Sequence, residues 1–400
     1  MQQQNSWLLP EGIEETLPTE AKHLEALRNK LLERFACWGY DLVIPPFIDF
    51  LDSLLIGSGH DLDLQTFKLT DQISGKMLGI RADMTPQVAR IDAHNLKHTC
   101  PTRLCYAGTV LHTRGDPLEK TRSPMQIGAE LYGHAGKESD FEVICLMLEM
   151  LAVTGLQNVH LDLGHVGIYR ALAEQADLSV AQESELFAIL QRKAKPELAE
   201  LMDGYAINGD LKQLFLALPE LNGDHTVLVK AQTLLAQAGD AVNQALADLT
   251  AIAGQLANRF PHLAISFDLA ELRGYHYHTG MVFAAFVPKV GREIARGGRY
   301  DNIGKVFGRA RPATGFSADL KLLSALSKQS FSCPPRELIF APYHDDADLA
   351  TAIRDLRAQQ RAVIQQLPGQ TGGAAEYGCT AVLVQEQQHW VVKPLNSATA

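Results

Sequence analysis

Two short segments, residues 273–283 and 295–301, concentrate side chains that could recognise a small polar ligand. Their sequences are RGYHYHTGMVF and ARGGRYD. Arginine, tyrosine and histidine recur there too densely for an ordinary core, where such polar residues are uncommon. An arginine supplies hydrogen-bond donors for a carboxylate, and glycines let a backbone approach closely. The two segments are therefore typical of a binding pocket.

Two further segments supply acceptors and an amide. In RADMTPQ, Asp83 and Thr85 are two residues apart and project from the same side of an extended backbone. In MQIGAELYG, Gln126, Gly128 and Glu130 share one face of a strand, where we expect the glycine to leave space over a ligand. A free amino acid needs acceptors for its ammonium group and donors for its carboxylate. These segments could provide the acceptors.

Each of these residues also has an ordinary structural interpretation. An isolated acid such as Asp83 or Glu130 is more often solvated or ion-paired than ligand-binding. Histidines such as His276 and His278 are more often hydrogen-bonded within the fold or exposed than ligand-binding, and Arg273 could form an ordinary ion pair. The residue types alone therefore indicate an amino-acid pocket without establishing one.

Periodic patterns predict the elements that position these side chains. Leu24, Leu27, Leu31 and Phe35 have helical spacing, which predicts an amphipathic helix over about 19–38. We expect a strand to follow and to close at Pro45–Pro46. The segment 66–80 predicts a β-hairpin around a Ser-Gly turn, and 85–96 predicts a helix. Two strands joined by a polar loop are predicted over 102–134.

Later segments predict a helical insertion and a separate C-terminal unit. After a helix at 140–154, residues of about 168–262 are rich in Ala, Leu, Gln and Glu, which favours an inserted helical subdomain. Strands are expected at AISFDL and MVFAAFV, and a final helix near Ala318. We expect a linker at Pro334–Pro335, dividing a domain of residues 1–330 from a short α/β unit of residues 331–400.

Composition restricts the class of protein. The net charge is -10, so binding to nucleic acid would need a local basic patch. The closest candidate for such a patch is the set Arg292, Arg296, Arg299, Lys305, Arg309 and Arg311. These residues could equally hold a small phosphorylated ligand or form a solvated face. No apolar run reaches the roughly 18 to 20 residues of a membrane span, and the N-terminus lacks a signal-peptide pattern. Six cysteines lack zinc-site spacing. We expect a cytoplasmic protein without metal or cofactor.

The four segments resemble, in order, ligand-binding motifs of the histidyl-tRNA synthetases, which are class II aminoacyl-tRNA synthetases. The resemblance extends over most of residues 1–325. It implies an α+β fold with an antiparallel sheet flanked by helices. It also implies that Asp83, Thr85 and Gln126 contact the ammonium group of histidine, although Asp83 is one methylene shorter than the family's acid. Glu130 then stands where an acid pairs with the imidazole.

The same resemblance assigns the remaining pocket residues. Arg273 takes the place of the arginine that faces the ligand carboxylate, and Tyr277 that of the first tyrosine in the same loop. His278 stands where a second tyrosine lines the imidazole pocket, and Tyr300 matches the pocket wall. The helix–strand–proline unit of residues 19–46 resembles motif 1, through which these synthetases form dimers.

The groups that handle ATP depart from the family pattern. His112 replaces the motif 2 arginine, and Arg114 the neighbouring glutamate. Leu322 replaces the motif 3 arginine. Removing one such group typically costs about 2.7 to 4 kcal/mol of transition-state stabilisation, so we expect no catalytic residues and no synthetase activity. The C-terminal unit is also shorter than an anticodon-binding domain, which argues against a tRNA partner.

A histidine pocket without synthetase chemistry, together with WLLPEGIEETLP and RGYHYHTG, is similar to the regulatory subunits of ATP phosphoribosyltransferases. The resemblance implies a cytoplasmic hetero-oligomer with the short-form catalytic subunit. It further implies activation of that subunit in the first step of histidine biosynthesis, and feedback inhibition by L-histidine. Two alternatives remain open. One is a divergent histidine–tRNA ligase or another class II adenylating enzyme, and the other is an activating scaffold that does not bind histidine.

Overall fold

The computed structural model describes residues 7–55, 60–115, 121–270, 274, 277–331 and 337–395. The chain divides into two compact units, residues 1–330 and residues 331–400. Among the described residues, no helix combines the length and the apolar character that a membrane crossing requires.

The first unit is built on a large mixed sheet. The strands of this unit are β1 (Asp41–Leu42), β2 (Ile48–Phe50), β3 (Phe67–Thr70), β4 (Met77–Ile80), β5 (Thr102–Thr109), β6 (Met125–Tyr132), β7 (His160–His165), β8 (Asn222–Gly223), β9 (Ala264–Asp268), β10 (Met281–Phe286), β11 (Ala295–Arg299) and β12 (Ala313–Asp319). Nine of these form one sheet in the order β1-β5-β6-β12-β11-β10-β7-β9-β8. All neighbours from β5 to β7 are antiparallel, whereas β1 is parallel to β5 and β9 to β7. The expected antiparallel sheet is confirmed.

Helices flank this sheet. They are α1 (Pro18–Cys37), α2 (Leu51–Leu54), α3 (His60–Gln65), α4 (Thr85–Arg90), α5 (Lys137–Val153), α6 (Val166–Gln175), α7 (Val180–Gln191), α8 (Lys195–Gly204), α9 (Gly209–Ala217), α10 (Thr226–Leu234), α11 (Asp240–Arg259), α12 (Ile303–Val306) and α13 (Leu320–Leu326). A π-helical turn, Ile91–Leu96, extends α4, and a 3-10 turn, Leu218–Glu220, follows α9.

Helix α1 has the amphipathic character that its spacing predicts. Its buried residues are Leu24, Leu27, Leu31 and Phe35. The ring of Phe35 meets Phe316 of β12 edge to face, with 5.9 Å between the ring centroids. The helix therefore attaches to the middle of the sheet through the stripe that the sequence shows.

The predicted β-hairpin is confirmed. Strands β3 and β4 pair antiparallel, and β2 completes a three-stranded sheet. Gly75, at the turn, has a φ of 70°, a value that glycine adopts without strain. The Asp71 carboxylate accepts hydrogen bonds from the backbone N–H groups of Ile73 and Ser74, which fixes the turn.

The helical stretch between β7 and β9 is anchored to the sheet. Helix α11 packs against α6, α5 and β7, and the two-residue strand β8 pairs with β9. Buried residues of α11 follow helical spacing from Val242 to Leu256. The regular elements of this stretch are therefore helices, except for β8, which lies at the edge of the large sheet.

Among the strands that the sequence did not indicate are β7, β8, β12 and β14. The helix expected near Ala318 begins at Leu320, because residues 313–319 form β12 in the middle of the sheet. That strand has the sequence ATGFSAD, in which Phe316 is the only large apolar residue. Its burial comes from the neighbours β6 and β11 and leaves no alternating pattern in the sequence.

The second unit has its own core. Its elements are β13 (Leu338–Ala341), α14 (Ala347–Ala358), β14 (Ala362–Gln365), β15 (Ala381–Glu386) and β16 (His389–Pro394). The sheet order is β14-β13-β15-β16. Leu349, Ile353 and Leu356 of α14 pack on Ile339 and Leu383 of the sheet. A helix and a four-stranded sheet are what we expect of a short α/β unit.

Candidate functional site

Glu130 is the buried centre of the candidate site. It lies on β6 between β5 and β12, and only 2% of its surface is exposed. The Tyr106 hydroxyl donates to its Oε1 at 2.9 Å, and the Thr85 hydroxyl approaches the same atom at 3.3 Å. The Tyr300 hydroxyl donates to Oε2. Both carboxyl oxygens are therefore engaged by hydroxyl groups.

Glycines on neighbouring strands make room for this arrangement. Gly315 of β12 is paired with Glu130, and a Cβ at Gly315 would lie 1.5 Å from Glu130 Oε2. Gly128 is paired with Tyr106 of β5, and a Cβ there would lie 2.5 Å from the Tyr106 hydroxyl. The expectation that Gly128 leaves space over a ligand is wrong, because the Tyr106 side chain occupies that space.

Burial changes the acidity of Glu130. Removal from water is the largest effect and raises its pKa from an ordinary value of 4.5 to about 8, while the hydrogen bonds from Tyr300 and Tyr106 act in the opposite direction. At neutral pH the group is therefore largely a neutral acid. A cationic partner at this position would favour its ionised form.

Asp83, Thr85 and Gln126 form a second polar group beside Glu130. Asp83 Oδ1 accepts from the Thr85 backbone N–H at 2.9 Å, from the Thr85 hydroxyl at 2.9 Å and from Gln126 Nε2 at 2.8 Å. Gln126 Oε1 accepts from the backbone N–H of Met84 at 2.9 Å. Asp83 is half-buried, and within the described residues its Oδ2 makes no hydrogen bond. That oxygen remains an available acceptor.

Three aromatic rings continue the site away from Glu130. Tyr277 stacks on Tyr300, with ring centroids 4.8 Å apart and an interplanar angle of 24°. The His278 ring meets Tyr277 edge to face at 5.3 Å. Burial lowers the pKa of His278 to about 4, so its imidazole is neutral at physiological pH. Among the described residues, His278 Nδ1 is buried without a hydrogen-bond partner.

The backbone carrying these rings is held from two sides. The Gly274 carbonyl accepts hydrogen bonds from the N–H groups of Tyr277 and His278, both at 2.8 Å. The Arg170 guanidinium of α6 donates to the His278 carbonyl at 2.9 Å. A Cβ at Gly298 of β11 would lie 2.8 Å from His278 Nδ1, so this glycine admits the imidazole.

The structure brings seven of the eight predicted site residues into one neighbourhood: Asp83, Thr85, Gln126, Glu130, Tyr277, His278 and Tyr300. The eighth, Arg273, lies outside the described residues, as does His276. Tyr106 and Tyr132 were missed. Tyr132 accepts a 3.3 Å hydrogen bond from Tyr300, and its position two residues after Glu130 on the same strand could have indicated it.

The residues that the resemblance places at the ATP-handling positions have other surroundings. His112 Nε2 lies 3.0 Å from the Ala82 carbonyl, next to Asp83 in sequence. Arg114 is exposed, and Leu322 is partly buried on α13. Within the described part of the chain, no cluster of His, Cys, Asp and Glu could hold a metal ion.

Most of the candidate basic cluster is committed to structural contacts. Arg299 forms a buried ion pair with Asp140 at 3.0 Å, and Arg311 one with Asp92 at 2.7 Å. Arg296 pairs with Glu293 at 3.2 Å, and Arg309 donates to the His98 carbonyl. These residues therefore do not form a continuous basic surface.

Comparison with known proteins agrees with this fold and site. Residues 12–323 match the family model described as histidyl-tRNA synthetase. A histidyl-tRNA synthetase from Nostoc has a similar fold, with a TM-score of 0.72 at 18% identity over 95% of this chain and 91% of the other. The fold and the site together define a protein of the histidyl-tRNA synthetase-like class.

More specific matches extend over the whole length. Residues 336–393 match the model described as the C-terminal domain of ATP phosphoribosyltransferase subunit HisZ. The ATP phosphoribosyltransferase regulatory subunits of Methylococcus capsulatus and Thioalkalivibrio sulfidiphilus are 58% and 57% identical, covering 98% and 99% of this chain and 97% and 100% of theirs. A Bacillus halodurans structure described as an ATP phosphoribosyltransferase regulatory subunit/histidyl-tRNA synthetase has a TM-score of 0.80 and 28% identity over 93% of this chain and 96% of the other. The chain belongs to the family of ATP phosphoribosyltransferase regulatory subunits.

Proposed function

We propose that this chain is a non-catalytic subunit that activates a short-form ATP phosphoribosyltransferase catalytic subunit and senses L-histidine. Membership of the regulatory-subunit family supports the partner. The polar groups around Glu130 and Asp83 support the ligand. Histidine would then report the level of the end product to the first step of its own biosynthesis.

The observation that carries the ligand assignment is a hydroxyl shared between two carboxyl groups. Thr85 Oγ1 lies 2.9 Å from Asp83 Oδ1 and 3.3 Å from Glu130 Oε1. An amino acid with a basic ring needs one acceptor for its ammonium group and another for its ring nitrogen. Asp83, with its available Oδ2, suits the ammonium group, and the deeper Glu130 suits the imidazole.

Binding at Glu130 would require the aromatic rings to move. Tyr300 covers one carboxyl oxygen and Tyr106 the other, while Tyr277 stacks over Tyr300. An imidazole reaches Glu130 only if Tyr300 or Tyr277 rotates away. The site would therefore have a closed and an open arrangement, and histidine would select the open one. A difference of this kind is what a feedback signal to a partner subunit needs.

The test is isothermal titration calorimetry of L-histidine with the complex assembled from this chain and a short catalytic subunit. We expect Glu130→Ala to lose a charge-assisted hydrogen bond, which costs about 1.5 to 3 kcal/mol, or roughly ten- to a hundredfold in affinity. Glu174→Ala, which removes an exposed carboxylate from α6, is the matched control and should bind as the parent does. Equal affinity in the parent and Glu130→Ala would reject the site.

An activating scaffold without histidine binding is the second candidate. It is favoured by the closed state of Glu130, whose two oxygens already have hydroxyl partners. In this case the complex shows no heat of histidine binding, and the catalytic subunit is activated equally with and without histidine. Activity assays of the assembled complex across histidine concentrations separate the two candidates.

A further inference from the structure

A cavity adjoins the aromatic rings of the candidate histidine site. Its volume is about 370 Å³, and Tyr277 forms part of its lining. The same ring stacks on Tyr300, whose hydroxyl donates to Glu130. Tyr277 therefore stands between the buried acid and an empty space, and the cavity and the site form one continuous region.

The cavity is large enough to take up an aromatic side chain. An engineered protein cavity of about 150 Å³ already binds benzene, and this one is larger. Ile303 and Val306 line it with aliphatic groups against which a ring can pack. Thr279 and Asn302 line it with a hydroxyl and an amide, which can pair with a phenol hydroxyl. Its lining thus suits the two ends of a tyrosine side chain.

The two stacked rings differ in how firmly they are held. Tyr300 is 2% exposed, and its backbone N–H donates to the Ala313 carbonyl at 2.7 Å. Its hydroxyl is bonded to Glu130 and, at 3.3 Å, to Tyr132. Rotation of Tyr300 would break these side-chain bonds together, so this ring is the fixed member of the stack.

Tyr277 has fewer constraints on its side chain. It is half-buried, and its hydroxyl is enclosed without a hydrogen-bond partner among the described residues. A buried donor without a partner is unfavourable, so the present position of the hydroxyl gives it nothing to lose. The backbone N–H of Tyr277 is bonded to the Gly274 carbonyl at 2.8 Å. The ring can therefore turn from one rotamer to another while its backbone stays in place.

We propose that Tyr277 is the gate of the candidate histidine site, and that the cavity receives its ring when the site opens. This inference rests on the proposed histidine function and assigns the movement to one residue. In the closed arrangement Tyr277 stacks on Tyr300. In the open one its hydroxyl pairs with Thr279 or Asn302, and the imidazole of the ligand stacks on Tyr300 in its place.

The first test fills the cavity and measures histidine binding to the assembled complex by isothermal titration calorimetry. Val306→Trp occupies the space that the ring needs, and Val306 is 53% exposed and tolerates a larger side chain. We expect histidine to bind about tenfold more weakly, because the fraction of open molecules falls. Val229→Trp is the matched control, on α10 at 64% exposure, and should change the affinity less than about twofold.

Removal of the gate tests whether Val306→Trp acts through Tyr277. In a Tyr277→Ala background no ring needs the cavity, so adding Val306→Trp should change the histidine affinity less than about twofold. A tenfold loss in that background would overturn the proposal, because the tryptophan would then act on the ligand directly. Equal histidine affinity in the parent and in Val306→Trp would overturn it as well.

Fluorine NMR observes the gate without any ligand. The full chain, which has 10 tyrosines, is labelled with 3-fluorotyrosine, and the signals lost in Tyr277→Phe and Tyr300→Phe identify the two rings. Relaxation dispersion should show Tyr277 exchanging between two environments and Tyr300 in one. Val306→Trp should stop the exchange and Val229→Trp should not. A Tyr277 signal without exchange, or exchange that persists in Val306→Trp, would refute the gate.

The two measurements separate the gate from the proposed function. If the complex takes up no histidine while Tyr277 exchanges and Val306→Trp stops the exchange, the proposed function fails and the gate stands. If histidine binds while Tyr277 shows no exchange, the gate fails and the proposed function stands.

Discussion

Gly315 and Glu130 face each other across the β6–β12 pair so closely that a methyl group on Gly315 would overlap the carboxyl group. The position of the deepest acid in the site therefore depends on a missing side chain in the neighbouring strand. We expect Gly315→Ala to destabilise the fold by about 1 to 3 kcal/mol, as overpacking of a core does. Gly254→Ala is the control. It lies on α11 with open space around its Cβ position and should stabilise by about 0.5 to 1 kcal/mol. Denaturant unfolding measures both, and equal midpoints would contradict the close contact.

The acidity of Glu130 predicts a dependence of stability on pH. Its pKa is about 8 in the folded protein and near 4.5 when unperturbed, so the folded state binds more protons between these values. Stability attributable to this group is therefore greatest at low pH and falls as pH rises towards 8. We expect the parent to lose stability between pH 5 and pH 8 relative to Glu130→Gln, on the order of 1 kcal/mol per pH unit within the window. Parallel pH profiles of unfolding free energy would show that the shift is absent.

Synthetase chemistry should be missing. His112 and Leu322 stand at the positions where the resemblance expects arginines, and the His112 imidazole is held at a backbone carbonyl. We expect no histidine-dependent exchange between ATP and pyrophosphate above a protein-free control. An authentic histidyl-tRNA synthetase serves as the positive control. Exchange by this chain would favour the divergent ligase instead.

Residues 19–46 should mediate self-association. The segment that follows α1 exposes large apolar side chains, among them Leu42 at 46%, Ile44 at 81% and Phe47 at 42%. A two-fold interface would bury this face against its copy. We expect a dimer at micromolar concentration in analytical ultracentrifugation, and a shift to monomer in Ile44→Asp because burial of an unpaired charge is unfavourable. Val229→Asp, on an exposed position of α10, should remain dimeric. A monomeric parent would refute this interface.

Local sequence patterns sufficed for elements with a regular apolar face. Helix α1 and the β3–β4 hairpin agree with the prediction because spacing and turn residues determine them locally. Strand β12 was missed because its residues are mostly small, and its place in the sheet depends on partners distant in the chain. Strand β7 was missed although its sequence, HLDLGH, alternates.

The site residues likewise divide into those that local motifs indicate and those that depend on the pairing of distant strands. Sequence motifs indicated Asp83, Thr85 and Glu130 as site residues. In the structure the Thr85 hydroxyl lies within hydrogen-bond distance of both carboxyl groups. The role of Tyr106 depends on the β5–β6 register, which places it beside Gly128 and its hydroxyl 2.9 Å from Glu130. A register of this kind joins residues 22 positions apart and is not visible in either segment alone.

The ring stack of Tyr277 on Tyr300 has a thermodynamic consequence for any ligand that needs Glu130. The apparent dissociation constant equals the intrinsic constant divided by the fraction of molecules whose rings are open. A partner that favours open rings would therefore tighten histidine binding without touching histidine, and one that favours closed rings would weaken it. If one molecule in a hundred were open, full opening would increase the affinity about a hundredfold. The sensitivity of the proposed histidine response would thus be set by the energy of an aromatic contact, and a substitution at Tyr277 would change it while every polar group of the candidate site stays in place.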